Sequence, residues 1–307
     1  MLGSSQGFCV IQYCRMAILA VTCENLKSAE AFHACGADEA VFALKDACFS
    51  PLAAFSCEEI REFIPKVHSS GMRVSVLMNA LFHEEAIQNA AEMMKELVHS
   101  GADGIIFADT GLMLTALKEG FSDRMIYQPE TMMTSSYDAS VWSSTGVQAL
   151  MISTLLTEEE ILKIAASNEN TGMNIHGWQL MSVSARPLLS AYGAMTSLGS
   201  FRNKKGLTLV EAKRNEHMPV YENEQVTMVF SDYVLESFEE ILRFEKAGMK
   251  RFSVDSWNLD LSSVEDALKI YRALLDEKQP SMSIEEYRAE YSALPLDKGY
   301  YENKTVR

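Results

Sequence analysis

The sequence predicts one α/β unit, a closed (β/α)8 barrel with a long insertion between its seventh and eighth strands. Three observations carry that reading. A unit recurs along the chain: an apolar helix end, a glycine, one or two polar residues, then a short β-rich run. The runs are apolar along most of their length, as strands of a parallel sheet covered on both faces must be. Between them, segments such as EEAIQNAAEMMKELVHS and SFEEILRFEKAG place apolar residues at helical spacing.

In chain order, MAILAVTC at Met16–Cys23 supplies the first strand. The repeat then gives HACGADEAVFAL, SSGMRVSVLMNA, HSGADGIIFADT, KEGFSDRMIYQP, SSTGVQALMIST, ENTGMNIHGWQL and EKAGMKRFSVDSW. These turn at Gly36, Gly71, Gly101, Gly120, Gly146, Gly172 and Gly248. A glycine there can take the left-handed conformation that ends a helix and sends the chain straight into a strand. Eight βα units favour a TIM-type barrel over an open doubly wound sheet, and no strand is followed by GxGxxG or a P-loop.

The regularity fails once. Roughly 75 residues separate strand seven, near Gly172–His176, from strand eight, near Arg251–Asp255, far more than a βα unit needs. Part of this is the helix leading into strand eight. The remainder, about 178–232, is the insertion, holding the extended run QVTMVFSD and the basic stretch FRNKKGLTLVEAKR. Residues 1–15 are expected to be a disordered or mis-started extension, and 16–307 a single barrel.

Composition narrows the function. With 48% hydrophobic residues over 307 positions, the chain can bury a sizeable core. No apolar run approaches the roughly 20 residues of a membrane helix, and the opening lacks a signal-peptide pattern. The six cysteines all fall at or before Cys57 and none are spaced CxxC, so they read as reduced thiols of a cytoplasmic protein. A net charge of −15 weighs against diffuse nucleic-acid binding. Any RNA contact falls to the one dense positive run, Arg202, Lys204, Lys205, Lys213 and Arg214, which reads equally as a solvated loop.

Residues just past the strands' C-terminal ends converge on one cavity in a barrel. Here they include Thr22, Asn79, Asp109, Glu130, Thr131, Ser153, Thr154, His176 and Asp255. Asp109 reads either as a ligand group or as the cap of the next helix. Asn79 and Thr131 suit a ligand or loop backbone equally. Glu130 and Asp255 are more suggestive, because carboxylates at strand ends are partly desolvated and need partners. His176 ends an apolar strand, as a satisfied core residue or as a rim group. Those three form the candidate catalytic set. Arg186, on the insertion, either anchors an anionic ligand or pins the loop to Glu130 or Asp255. Hydrolytic patterns are missing: there is no GxSxG, no HExxH, and Cys23 or Cys48 beside His176 makes a poorly supported nucleophile.

At His176 the chain reads HGWQLMSVSARPLLSAY, which resembles the signature of the collagenase-like peptidases, peptidase family U32. The first strand and its GAD turn, MRVSVLMNALFHEE, FSDYVLES, KRFSVDSW, KIYRALLD and the terminal LDKGYYENKTV resemble the same family in order and spacing. The resemblance implies a barrel and, despite the name, hydroxylation chemistry on RNA or quinone precursors, often by paired sister subunits. The branch most similar to this chain is the shorter, cysteine-poor subunit of prephenate-dependent hydroxylation of the tRNA wobble uridine.

Matching positions that survive are Glu130, Thr131, His176, Arg186, Asp255 and Lys304. Members with an iron–sulfur cluster carry two of its four cysteines within this signature; here those positions are Leu180 and Pro187, which offer no soft ligand. Ser153-Thr154 replaces a common Arg-Glu, and Asp255-Ser256-Trp257 a common Glu-Gly-Arg. Both changes remove cations from the expected cavity and weigh against an anionic substrate. The resemblance thus implies a non-redox subunit with no cluster of its own. It would act with a cluster-bearing sister or as a homodimer, possessing a site for prephenate or a related small carboxylate and contacting tRNA but no membrane. The alternatives are a peptidase of unassigned type and a non-catalytic carboxylate-binding or scaffolding barrel.

Overall fold

The computed structural model describes residues 17–303 apart from 131, 211–212 and 214–215. The expected extension at 1–15 lies outside them. Eight strands form the barrel: β1 (Ile18–Thr22), β2 (Glu39–Leu44), β3 (Arg73–Met78), β4 (Gly104–Phe107), β5 (Met125–Tyr127), β6 (Ala149–Ile152), β7 (Thr171–Ser184) and β8 (Arg251–Val254). Each pairs in parallel with the next, and β8 pairs in parallel with β1, so the sheet closes. Every strand begins within a run expected from the sequence, and β7 continues past its run to Ser184.

Helices ring this cylinder. Their starts follow local chemistry: Ser56 and Thr157 form capping boxes with Glu59 and Glu160, satisfying the first free amides of helices Cys57–Ser69 and Glu158–Ser167. Their apolar faces meet the outward side chains of the strands, as Phe42, Val76, Phe107 and Phe252 do, in one continuous core. The helix before β8 is shorter than its pattern suggests, covering only Ile241–Lys246. No helix among the described residues is long and apolar enough to cross a membrane.

Six of the seven hinge glycines adopt φ between 78° and 111°. Gly172 departs from the expectation. It lies inside β7, where an added Cβ would sit 2.8 Å from the Arg251 backbone oxygen and 3.0 Å from Met151 Sδ. Close approach, rather than a left-handed turn, explains this glycine.

The barrel interior is layered. Ala20, Val41, Leu77, Ile106, Ile126 and Met151 fill the middle. Beneath them, at the strands' N-terminal ends, Glu39 and Arg251 are fully buried and joined by two hydrogen bonds of 2.6 and 3.0 Å. Burial alone would raise the Glu39 pKa. The Arg251 charge and hydrogen bonds, with Ser75 and Arg73 adding to them, outweigh it and hold the carboxyl below its ordinary range.

Between β7 and β8 the chain makes helix Leu188–Thr196, strands Thr208–Val210, His217–Glu222 and Thr227–Glu236, then the short helix. β7 itself runs well beyond the barrel, and its far half pairs antiparallel with Thr227–Glu236.

Removing one partner of a buried ion pair strands the other charge. Glu39→Gln is therefore expected to destabilise the fold by roughly 3–5 kcal/mol in urea unfolding. A midpoint equal to the parent's would show that the pair does not hold the barrel floor.

Candidate functional site

The strands' C-terminal ends enclose a cavity of about 80 Å³. Thr22 ends β1, Asn79 follows β3, Gln128 and Glu130 follow β5, Asn174 lies on β7 and Asp255 follows β8; all line it. Side chains two apart on a strand share a face. That period carries Ser253 and Asp255 to the same hollow; Gln128 and Glu130 meet there beyond the end of β5, with Glu130 in a left-handed turn.

Glu130 is held from two sides. Asn79 Nδ2 donates to its Oε1 at 2.9 Å and Gln128 Nε2 to the same oxygen at 3.2 Å. Its backbone sits at φ +53°, a left-handed conformation costing a non-glycine residue about 1–2 kcal/mol. Asn79 fills both roles open to it, since its Oδ1 also accepts from the Phe49 amide at 2.9 Å. Asp255 accepts from Thr22 Oγ1 at 3.2 Å and from the Trp257 amide at 3.0 Å, both on Oδ1.

Burial raises both pKa values, opposed by these hydrogen bonds; the Asp255 charge raises Glu130 further. The described lining residues include no Lys, Arg or His.

An apolar lid covers the hollow. Leu52, Phe230 and Trp257 cluster with Phe49, Trp178 and Leu180, and the Phe230 and Trp257 rings lie tilted against each other with centroids 4.0 Å apart. Phe230, Trp178 and Leu180 come from the far half of β7 and its antiparallel partner.

His176 does not join Glu130 and Asp255. The register of β7 against β8 slips between Asn174 and His176, leaving Ile175 as an extra residue. Asn174 lines the hollow, while His176 turns into the helix layer. Its Nδ1 lies 3.3 Å from the Tyr271 hydroxyl and its Nε2 3.2 Å from that of Tyr287, with Phe238 alongside. The expectation of a rim shared by all three fails for this side chain; only its carbonyl reaches the site, accepting from the Asp255 amide at 2.9 Å.

Arg186 is exposed on the outer segment and reaches neither Glu130 nor Asp255; its carbonyl accepts from Thr227 Oγ1. Thr131, Lys304 and Arg214 lie outside the described residues. Arg202, Lys204, Lys205 and Lys213 are exposed. Arg202 lies 3.8 Å from Glu222, Lys205 lies 3.8 Å from Glu24, and Lys204 stands over the Phe201 ring. Asp109 is the cap of helix Thr110–Glu119, accepting from the Gly111 amide. Thr154 lines the hollow, and Ser153 is buried beneath it.

Sequence reasoning missed Gln128, Asn174 and Gln179. Gln128, the residue directly after β5, could have been found as a strand-end position. Nothing announces Gln179, which follows the bulge.

The donor set does not suit an iron–sulfur cluster. Leu180 is part of the apolar lid, and Pro187 precedes helix Leu188–Thr196. Among the described residues no group of three or more His, Cys, Asp or Glu could hold a metal ion. Cys23 and Cys48 are buried, which pushes both thiols up, Cys48 to about 12; neither is a ready nucleophile.

The profile of Peptidase family U32 matches residues 24–306. The chain belongs to this family. Among its U32 relatives, tRNA hydroxylation protein P2 of Bacillus subtilis is 23% identical over 72% of this chain and 74% of its own length. The tRNA hydroxylation protein P of Escherichia coli is 21% identical over 73% of this chain and 59% of that one. A 23S rRNA 5-hydroxycytidine synthase of Escherichia coli is 21% identical over 73% of this chain and 34% of the relative.

Two outcomes follow from the electrostatics. Burial pushes the His176 pKa down to about 3, whereas an unfolded chain takes up that proton near 6.5. The fold therefore loses stability as pH falls from about 6.5 toward 3, a difference on the order of several kcal/mol. His176→Asn should flatten the urea midpoint against pH in that window; an unchanged slope would assign it to other groups. The raised carboxylates work in the opposite sense, since the folded state holds their protons more tightly and loses stability as pH rises through the raised values. Glu130→Gln and Asp255→Asn keep the oxygen acceptors and drop the charge. Each should be stabilised on the order of 1 kcal/mol at pH 8 and not near pH 3, by urea titration; destabilisation at pH 8 would contradict this.

Proposed function

We propose that this chain serves hydroxylation of the tRNA wobble uridine as a subunit with no redox centre of its own. The observation that carries the reading is a family match spanning nearly the whole barrel, to relatives two of which are tRNA hydroxylation proteins. The cluster positions filled by Leu180 and Pro187 support assigning electron transfer to another chain. That chain is a cluster-bearing sister of the same family, with a homodimer as the variant arrangement.

In this reading the domain is one barrel over 16–307. The segment 178–232 is its insertion, supplying the lid on one side and exposed Arg202, Lys204, Lys205 and Lys213 for phosphates on the other. A tRNA substrate supports a cytoplasmic location. Glu130 and Asp255 are the groups assigned to the hollow, with Asn79 orienting Glu130, and His176 is a positioning residue acting through the Asp255 backbone. Prephenate or a related small carboxylate meets no cation among the described lining residues, so we place no anion in the hollow. Peptide hydrolysis gains no support from a neutral, buried His176 or from the raised thiols.

A strain lacking this chain should lose at least tenfold of the hydroxylated wobble uridine in its tRNA by mass spectrometry, restored by the wild-type gene. Unchanged modification in the deletion strain overturns the proposal.

A further inference from the structure

The hollow at the barrel mouth is rich in hydrogen-bond acceptors. Both hydrogen bonds to Glu130 fall on Oε1 and both to Asp255 on Oδ1. Glu130 Oε2 and Asp255 Oδ2 accept none from described residues. A third acceptor stands apart from this pair. Gln179, 3% exposed, lines the hollow, and its Nε2 donates to the Gly177 carbonyl at 2.7 Å. That bond fixes the amide's orientation and leaves Oε1 with no donor among the described residues.

Burying a carboxylate is costly unless a cation or several donors meet it. Elsewhere in this barrel the rule is obeyed, because Arg251 grips Glu39 at the floor. At the mouth two carboxylates share a lidded cavity lined by no Lys, Arg or His among the described residues. No described residue supplies a positive charge to these carboxylates, which leaves the hollow complementary to a cation. Trp178 and Phe230 in the lid add aromatic surface, which favours organic cations.

We infer that this hollow binds a small organic cation, an ammonium or guanidinium group seated against Glu130, Asp255 and Gln179 under the Trp178–Phe230 lid. The cavity of about 80 Å³ admits a group of a few heavy atoms, so a larger ligand would insert only its charged end. The inference is independent of the tRNA reading. Either can fail while the other stands.

The test is isothermal titration calorimetry of the full chain with methylguanidinium and propylammonium, against neutral propionamide and the dianion malonate, at fixed ionic strength. One of the cations is expected to bind at least tenfold more tightly than propionamide, and malonate not at all. Glu130→Gln and Asp255→Asn should each weaken the cation at least tenfold, with thermal unfolding confirming that both fold. Gln179→Leu, which leaves both charges in place, should weaken it several-fold. Tighter binding of malonate, cation binding unchanged in the Glu130→Gln, Asp255→Asn double variant, or no heat from either cation at millimolar concentration would each overturn the inference.

Discussion

A strand that closes a barrel must alternate its side chains between interior and helix layer, and β7 breaks that alternation at Ile175. The extra residue sends His176 outward to Tyr271 and Tyr287. Immediately beyond, Gly177 takes φ +118° and passes so close to β8 that a Cβ would lie 2.5 Å from the Asp255 carbonyl oxygen. The slip thus sets three things together: the His176 anchor, the position of Asp255, and the exit direction of the strand toward the lid.

The same barrel treats buried charge in two ways, and the contrast separates scaffold from site. At the floor, Glu39 is matched by Arg251 with bidentate geometry, and attraction outweighs desolvation. At the mouth, neutral donors alone restrain Glu130 and Asp255, and desolvation wins. Natural barrels keep stability below and chemistry above. Here the division is visible in the direction in which carboxylates of one protein are shifted.

The barrel was legible because its signal repeats. Glycine-to-strand transitions recur with strands apolar on both faces, and such a pattern survives the error of any one element. Glu130 and Asp255 were legible for a related reason: in a closed barrel the mouth is built from positions just past the strand ends. His176 was not, because a strand buried on both faces carries no polar alternation to mark inside from outside. A one-residue bulge in it therefore leaves no trace in the sequence. Gly172 misled similarly, since a glycine needed for close approach to Arg251 reads the same as one needed for a turn. The Glu39–Arg251 pair joins residues 212 apart in sequence, a separation no local pattern spans.

The signature HGWQLMSVSARPLLSAY acquires a physical meaning from this arrangement. Its first part is His176, turned outward by the bulge just before it, then the close-approach glycine and the lid tryptophan. Its second part starts helix Leu188–Thr196, whose first free amides are satisfied by a buried carboxylate: Glu222 accepts from Leu189 N at 2.8 Å and from Ser190 N at 3.1 Å. With Leu180 packed among Phe230 and Trp257, apolar contact closes the mouth at this position. The lid packing and the two carboxylates of the hollow draw on different residues, so the enclosure of this cavity does not depend on the groups inside it.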